Sequence, residues 1–239
     1  IGLGVGVYLF VKGFSWFRLK RLIENTPTSK IRSIAMGLVE IYGSVVPYKN
    51  LLKSPLTGSD CVYYFYKVEE KRNSGNSTRW VTIKSGKDRV PFMLKDETGQ
   101  VLVDSEDANI DIPPNLSTRS RSGHSKTIRS FLEKNHIRYK LLGFNKSLRF
   151  KEYHIAPEDK LYIMGSAGDN PFVKNAAAQK NEEDIMIHKG EDDKIFYISD
   201  RHEKDIIASL KWKVVGGLFG GGALMIGCLV IIFLYLGMF

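Results

Sequence analysis

The chain has 239 residues with 26% charged and 43% hydrophobic side chains, enough for one or two domains around an ordinary core. Its two cysteines, Cys61 and Cys228, exclude a disulfide framework and a zinc module of the four-cysteine or RING kind, so the soluble part suits a reducing compartment. The formal net charge of +9 makes the placement of the cations the next question.

In chain order, residues 1–17 (IGLGVGVYLFVKGFSWF) form an apolar run interrupted by Lys12. Because the first residue is Ile1 rather than Met, an upstream segment is expected to extend this run into a membrane helix, with Lys12 snorkelling and Trp16 at the interface. A connector over residues 18–30 follows, with Arg18, Lys20 and Arg21 as interface anchors and residues 20–24 prolonging the helix.

Residues 31–199 read as a mainly β domain, because apolar and polar residues alternate with period two between Gly, Asp, Asn and Pro breaks. Residues 34–46 form a strand with Gly37 and Gly43 as bend or bulge candidates. Residues 61–71 (CVYYFYKVEEK) and RWVTIKSG form a hairpin around RNSGNST, and VPFMLKDETGQVLVDS gives two strands joined by a turn at residues 96–99. The segments SLRFKEYHI, KLYIMGSAG, DIMIHKG and KIFYISD supply the remaining strands. Strands this short and numerous predict a closed barrel or a sandwich. Residues 125–136 are expected to form a short amphipathic helix, with Ile128, Phe131 and Leu132 on the face that packs on the barrel.

A juxtamembrane helix over residues 200–213, with Asp200 as N-cap and Ile206, Ile207 and Leu210 on one stripe, leads into residues 214–239. No charge occurs in those 26 positions. As a helix they reach about 39 Å, against about 30 Å for the hydrocarbon core. Lys211, Trp212 and Lys213 stand at the interface, and the glycines between residues 216 and 222 include small-xxx-small spacings that allow close helix contact or self-association. Positive charge on both inner flanks predicts two spans with the β domain on the cytoplasmic side.

The phrases TPTSKIRSIAMGLVEIYGSV, SPLTGSDCVYYFYKVEE, RWVTIKSGKDRVPFMLKDETGQVLVDSEDA and FKEYHIAPEDKLYIMGSA, in this order, resemble the GIDE family, also called BAM for "beside a membrane". The resemblance covers roughly residues 21–201. It implies a membrane helix, this β domain and a second membrane helix, as in mitochondrial-type membrane ubiquitin ligases, which continue into a RING finger. These 239 residues hold no RING ligand set, so the chain is similar to the prokaryotic-type relatives that lack one.

The cations concentrate in residues 117–151, where ten Lys and Arg face a single acid, Glu133. Arg119, Arg121, Lys126, Arg129, Lys134, Arg138 and Lys140 are the candidate site for anionic lipid or an acidic partner. Near an anionic bilayer each contributes on the order of 1 kcal/mol, fading over a Debye length. The alternative is a solvated face balanced by the acidic stretch over residues 152–193. Nucleic acid is not expected, since a membrane tether argues against it.

No nucleophile elbow, P-loop, H-E-x-x-H or dinucleotide glycine motif occurs. The histidines read as structural or surface residues, Cys61 as a small buried hydrophobe, and Glu69 and Glu70 as solvated. No cofactor, metal, catalytic residue or small-molecule substrate is expected. The reading is a non-catalytic, membrane-tethered scaffold or protein-binding domain. The alternatives are a ligase homologue whose RING lies elsewhere and a lipid sensor.

Overall fold

The structure, a computed structural model, describes every residue except 1, 76, 121–124, 142, 143, 172–183, 191–194, 236, 238 and 239, and only the backbone at 74, 120, 140, 141, 144 and 145. The chain forms two compact units, one of residues Lys30–Asp200 and one of residues Ile1–Ser29 with Arg201–Phe239.

The first unit is mainly β. Its strands in chain order are β1 (Gly37–Pro47), β2 (Leu52–Lys53), β3 (Asp60–Cys61), β4 (Tyr63–Ser74), β5 (Ser77–Arg89), β6 (Phe92–Lys95), β7 (Gln100–Val103) and β8 (Asn109–Asp111). After β9 (Leu116–Ser120) comes helix α2 (Lys126–Lys134), and then β10 (Lys140–Leu141), β11 (Phe144–Asn145), β12 (Leu148–Ile155), β13 (Lys160–Asp169), β14 (Ile185–His188) and β15 (Tyr197–Ser199). Five strands close a barrel in the order β1-β6-β7-β14-β13, with β13 pairing back onto β1, and β15 and β8 extend from β13.

Period two explains the barrel core. Val39, Ile41 and Val45 of β1, Phe92 and Leu94 of β6, Val101 and Val103 of β7, and Leu161 and Ile163 of β13 all fall on the inward face and are buried together. Gly43 sits on that same face of β1 because the chains nearly touch there. A Cβ would lie 2.5 Å from the Lys95 carbonyl oxygen. Gly43 thus marks a close approach rather than a bulge. Gly37 takes φ +105, outside the comfortable range of a side chain. Asp96 organises the turn between β6 and β7, accepting from the amides of Thr98 at 2.7 Å and Gly99 at 3.0 Å, and its other oxygen accepts from the Ile31 amide at 3.0 Å.

The remaining long strands form a separate four-stranded sheet, β5-β4-β12-β9. Tyr66 and Val68 of β4, with Leu148 and Phe150 of β12, build a second core beneath Ile128, Phe131 and Leu132 of α2. The helix has the expected apolar face, and Ser125 caps it by accepting from the Ile128 amide at 3.2 Å. It covers this sheet and not the barrel. The expectation of one barrel or sandwich therefore becomes a barrel plus a helix-covered sheet, because a two-residue period assigns faces without saying which strands pair. A bulge shifts the β4–β5 register. Val68 faces Lys84 and Glu69 faces Thr82, leaving Ile83 as the extra residue.

In the second unit, α1 (Gly2–Asn25) is one continuous helix. Helix α3 (Glu203–Val215) passes through a π-helical turn (Gly216–Gly220) into α4 (Gly221–Tyr235). Its N-cap position is His202 rather than Asp200, with no side-chain cap bond. The continuous helix Glu203–Tyr235 holds an 18-residue window with a mean hydropathy of 2.4, of which only 11% is buried, which suits a membrane span. Among the described residues it is the one helix that meets length and hydropathy criteria for crossing a bilayer. Helix α1 packs antiparallel against it through glycines. A Cβ on Gly13 would lie 2.8 Å from the Leu218 amide nitrogen, and one on Gly221 would lie 2.9 Å from the Gly6 carbonyl oxygen. Small residues thus let two backbones meet, as in membrane helix pairs. Lys12, Arg18, Arg21, Lys211, Trp212 and Lys213 are exposed, while Trp16 and Lys20 are half-buried.

Candidate functional site

Strand β12 carries the residue that shapes the site. Glu152 is fully buried, and its carboxylate accepts from the Leu56 amide at 2.6 Å, the Thr57 hydroxyl at 2.6 Å and the Thr57 amide at 3.2 Å. A buried carboxylate is tolerable only when its lone pairs are met in this way. The bonds fasten the turn between β2 and β3 onto the sheet and drive Leu56 into the second core.

Between that turn and α2 lies an open groove of about 640 Å³, bordered by Lys53, Pro55, Tyr64, Tyr66, Lys126 and Lys134. Tyr64 and Tyr66 stack along its floor with ring centroids 6.4 Å apart, and Phe131 meets Tyr66 edge-on at 5.1 Å. Burial pushes the hydroxyls of both tyrosines above their usual pKa, so they stay neutral donors at physiological pH. Lys126 and Lys134 reach the groove because positions i, i+4 and i+8 share one flank of a helix, and Ser130 lies between them. Lys53 pairs with Asp60 at 2.7 Å, both well exposed. Among the described residues lining the groove there is no carboxylate, histidine or cysteine.

The structure therefore divides the basic residues singled out from the sequence. Lys126 and Lys134 meet in the groove. Arg129 is exposed on the helix, outside the groove lining, and Arg138 is exposed in the segment after α2. Arg119 lies on β9, on the sheet's other face, with its guanidinium over the Trp80 ring at 5.7 Å. Arg121 and the side chain of Lys140 lie outside the described residues. Lys53, Tyr64 and Tyr66 were not singled out, since only the pairing of β2 with β3 brings Lys53 beside a helix far along the chain.

Glu69 and Glu70 are buried rather than solvated. Arg149 bonds Glu69 at 2.6 Å and Lys146 bonds Glu70 at 2.7 Å, and each hydrogen bond holds its carboxyl below the ordinary range. Cys61 is fully buried, and loss of water raises its thiol to about 12, with the Glu152 charge adding to the shift.

A family model described as "GIDE: E3 Ubiquitin ligase" matches residues 62–232. The chain belongs to the GIDE family. The match begins after β1, takes in the four-stranded sheet, the rest of the barrel and the groove helix, and runs on into the apolar helix. Neither the curated proteins nor the solved structures compared with the chain give a match.

Proposed function

We propose that this GIDE domain is a non-catalytic recognition module held at a membrane, which binds an acidic segment of a protein partner in the α2 groove. The groove carries the reading. Amines stand along its walls, neutral hydroxyls line its floor, and its described lining holds no nucleophile paired with a base. Such a surface offers a carboxylate-rich segment both charge and hydrogen-bond donors. Anchorage by two spans, with the domain on the cytoplasmic side, completes the proposal. Its support is the glycine contact between α1 and the apolar helix, together with the exposed Tyr8, Val11 and Phe14 of α1, which water would not favour.

A fluorescent Glu/Asp-rich peptide titrated onto the detergent-solubilised chain tests the groove. Lys126→Glu with Lys134→Glu should weaken binding by about tenfold or more, equivalent to about 1.4 kcal/mol. Arg129→Glu, off the groove, should change it by less than about twofold. Equal effects of the two would refute the assignment.

The family description favours a second reading, a ligase component. With two cysteines in 239 residues, the zinc-binding module would have to come from sequence beyond these residues or from a partner. Ubiquitin transfer from a loaded conjugating enzyme by an added RING protein, accelerated when the purified chain is present and not by the RING protein alone, would decide for the ligase component.

A further inference from the structure

We propose that the face of the four-stranded sheet opposite α2 binds the head groups of an anionic bilayer. The inference needs the membrane anchor but not the groove.

Cross-strand register builds this face. Arg119, Arg149, Glu69 and Thr82 stand directly opposite one another across β9, β12, β4 and β5. The next row on the same face is Ser117, Lys151, Lys67 and Ser85, and beyond it come Tyr153, Phe65 and Lys87. Lys71 and Trp80 form the row on the other side. Six cations, Lys67, Lys71, Lys87, Arg119, Arg149 and Lys151, thus share one side of a sheet whose other side is packed under α2. The carboxylate among them, Glu69, is already held by Arg149 at 2.6 Å and Lys67 at 3.4 Å. Among the described residues no carboxylate pairs with Lys71, Lys87, Arg119 or Lys151.

The aromatic residues there order the cations rather than offering free rings. Trp80 carries the Arg149 guanidinium at 4.6 Å and that of Arg119 at 5.7 Å, and Tyr153 sits against Phe65 at 5.8 Å. A ring already covered by guanidinium is poorly placed to stack a nucleobase, which argues against single-stranded nucleic acid. Lysines spread over a broad sheet, Lys71 and Lys87 exposed and Lys67 and Lys151 half-buried, match a surface studded with phosphates better than one compact ligand. Only three residues separate β15 from the anchor helix, which tethers this domain to the bilayer at high effective concentration.

The test uses the full chain with Trp16→Phe and Trp212→Phe, which leaves Trp80 as the sole indole. It is reconstituted in nanodiscs of phosphatidylcholine alone or with about a third phosphatidylserine. Acrylamide quenching of Trp80 should fall at least about twofold in the anionic discs and recover at about 1 M salt, where the Debye length is about 3 Å. Arg119→Glu with Lys151→Glu should abolish the difference. If that pair fails to fold by circular dichroism, Arg119→Gln with Lys87→Gln should at least halve it. Equal quenching in the two discs would overturn the proposal, as would a difference that survives either folded pair. Protection of Trp80 in neutral discs by a soluble acidic peptide, to the same degree as by anionic lipid, would also overturn it in favour of a protein ligand.

Discussion

Glu152→Ala is the most informative single change, because one buried carboxylate organises the turn that walls the groove. Two of its bonds are 2.6 Å long and a third is 3.2 Å, all to groups on Leu56 and Thr57. Bonds to a charged acceptor contribute about 1.5–3 kcal/mol each. Their full sum would overstate the loss, since Thr57 is exposed and water replaces part of what the turn gives up. The two short bonds alone set the scale, so Glu152→Ala should destabilise the turn by about 3–5 kcal/mol. Glu152→Gln should cost about half as much, because the amide keeps its volume and one acceptor oxygen. With about 1.4 kcal/mol to a decade, amide exchange at Leu56 and Thr57 should accelerate by about 100-fold or more in the alanine variant. The acidic peptide should lose affinity in parallel as Lys53 and Pro55 leave the groove. Exchange within about threefold of the unaltered chain, in a variant with an intact β signal, would refute the reasoning.

Three further outcomes follow from the packing and the ionisation. Gly13→Leu should force the helices apart, because its Cβ would meet backbone atoms of Gly217 and Leu218 at 3.0 and 2.8 Å. A loss of about 1–3 kcal/mol is expected in thermal unfolding in detergent, whereas Gly4→Leu, with open space around it, should be near neutral. Glu69 and Glu70 have depressed folded-state pKa values, so their contribution is complete above the usual 4.5 and is lost as pH falls below it through those values. Acid unfolding of Glu69→Gln should accordingly show a weaker pH dependence below about 4.5 than that of the unaltered chain. Cys61, with its thiol near 12 and no exposure, should resist maleimide at pH 7.5 until the chain is unfolded, and fast labelling of the native protein would contradict the burial.

Much of the fold was legible because it rests on local periodicity. Residues 92–95 and 148–155 alternate between buried and more open positions, residues 100–103 and 160–169 are short runs bounded by breaks, and the structure places strands in all four. The face of α2 followed from Ile128, Phe131 and Leu132, whereas its Ser125 cap emerges from the structure. Pairing was not legible. Nothing in KDR or KEYHI says that Lys87 and Tyr153 end up in one row across β5, β4 and β12, and the short β2, β8 and β9 carry too few residues to show a period. Glu69 and Glu70 misled for a related reason. Consecutive acids read as solvated, yet each lies on a different face of β4 and meets its own cation, Arg149 from β12 or Lys146 from the loop before it. The basic stretch over residues 117–151 suggested one patch, but a sheet has two faces, and Arg119 and Lys126 fall on opposite ones.

Anchorage at both ends of the β domain is the claim on which recognition at the membrane depends. One accessible cysteine at a time in a Cys228→Ser background, where the remaining Cys61 is buried, either Leu3→Cys near the start of α1 or Lys87→Cys on the exposed end of β5, tests it with an impermeant maleimide on sealed vesicles. Two spans require Leu3→Cys and Lys87→Cys to label from opposite sides of the bilayer. Labelling of both from the same side would mean that α1 does not cross, and the two-span anchorage would be wrong.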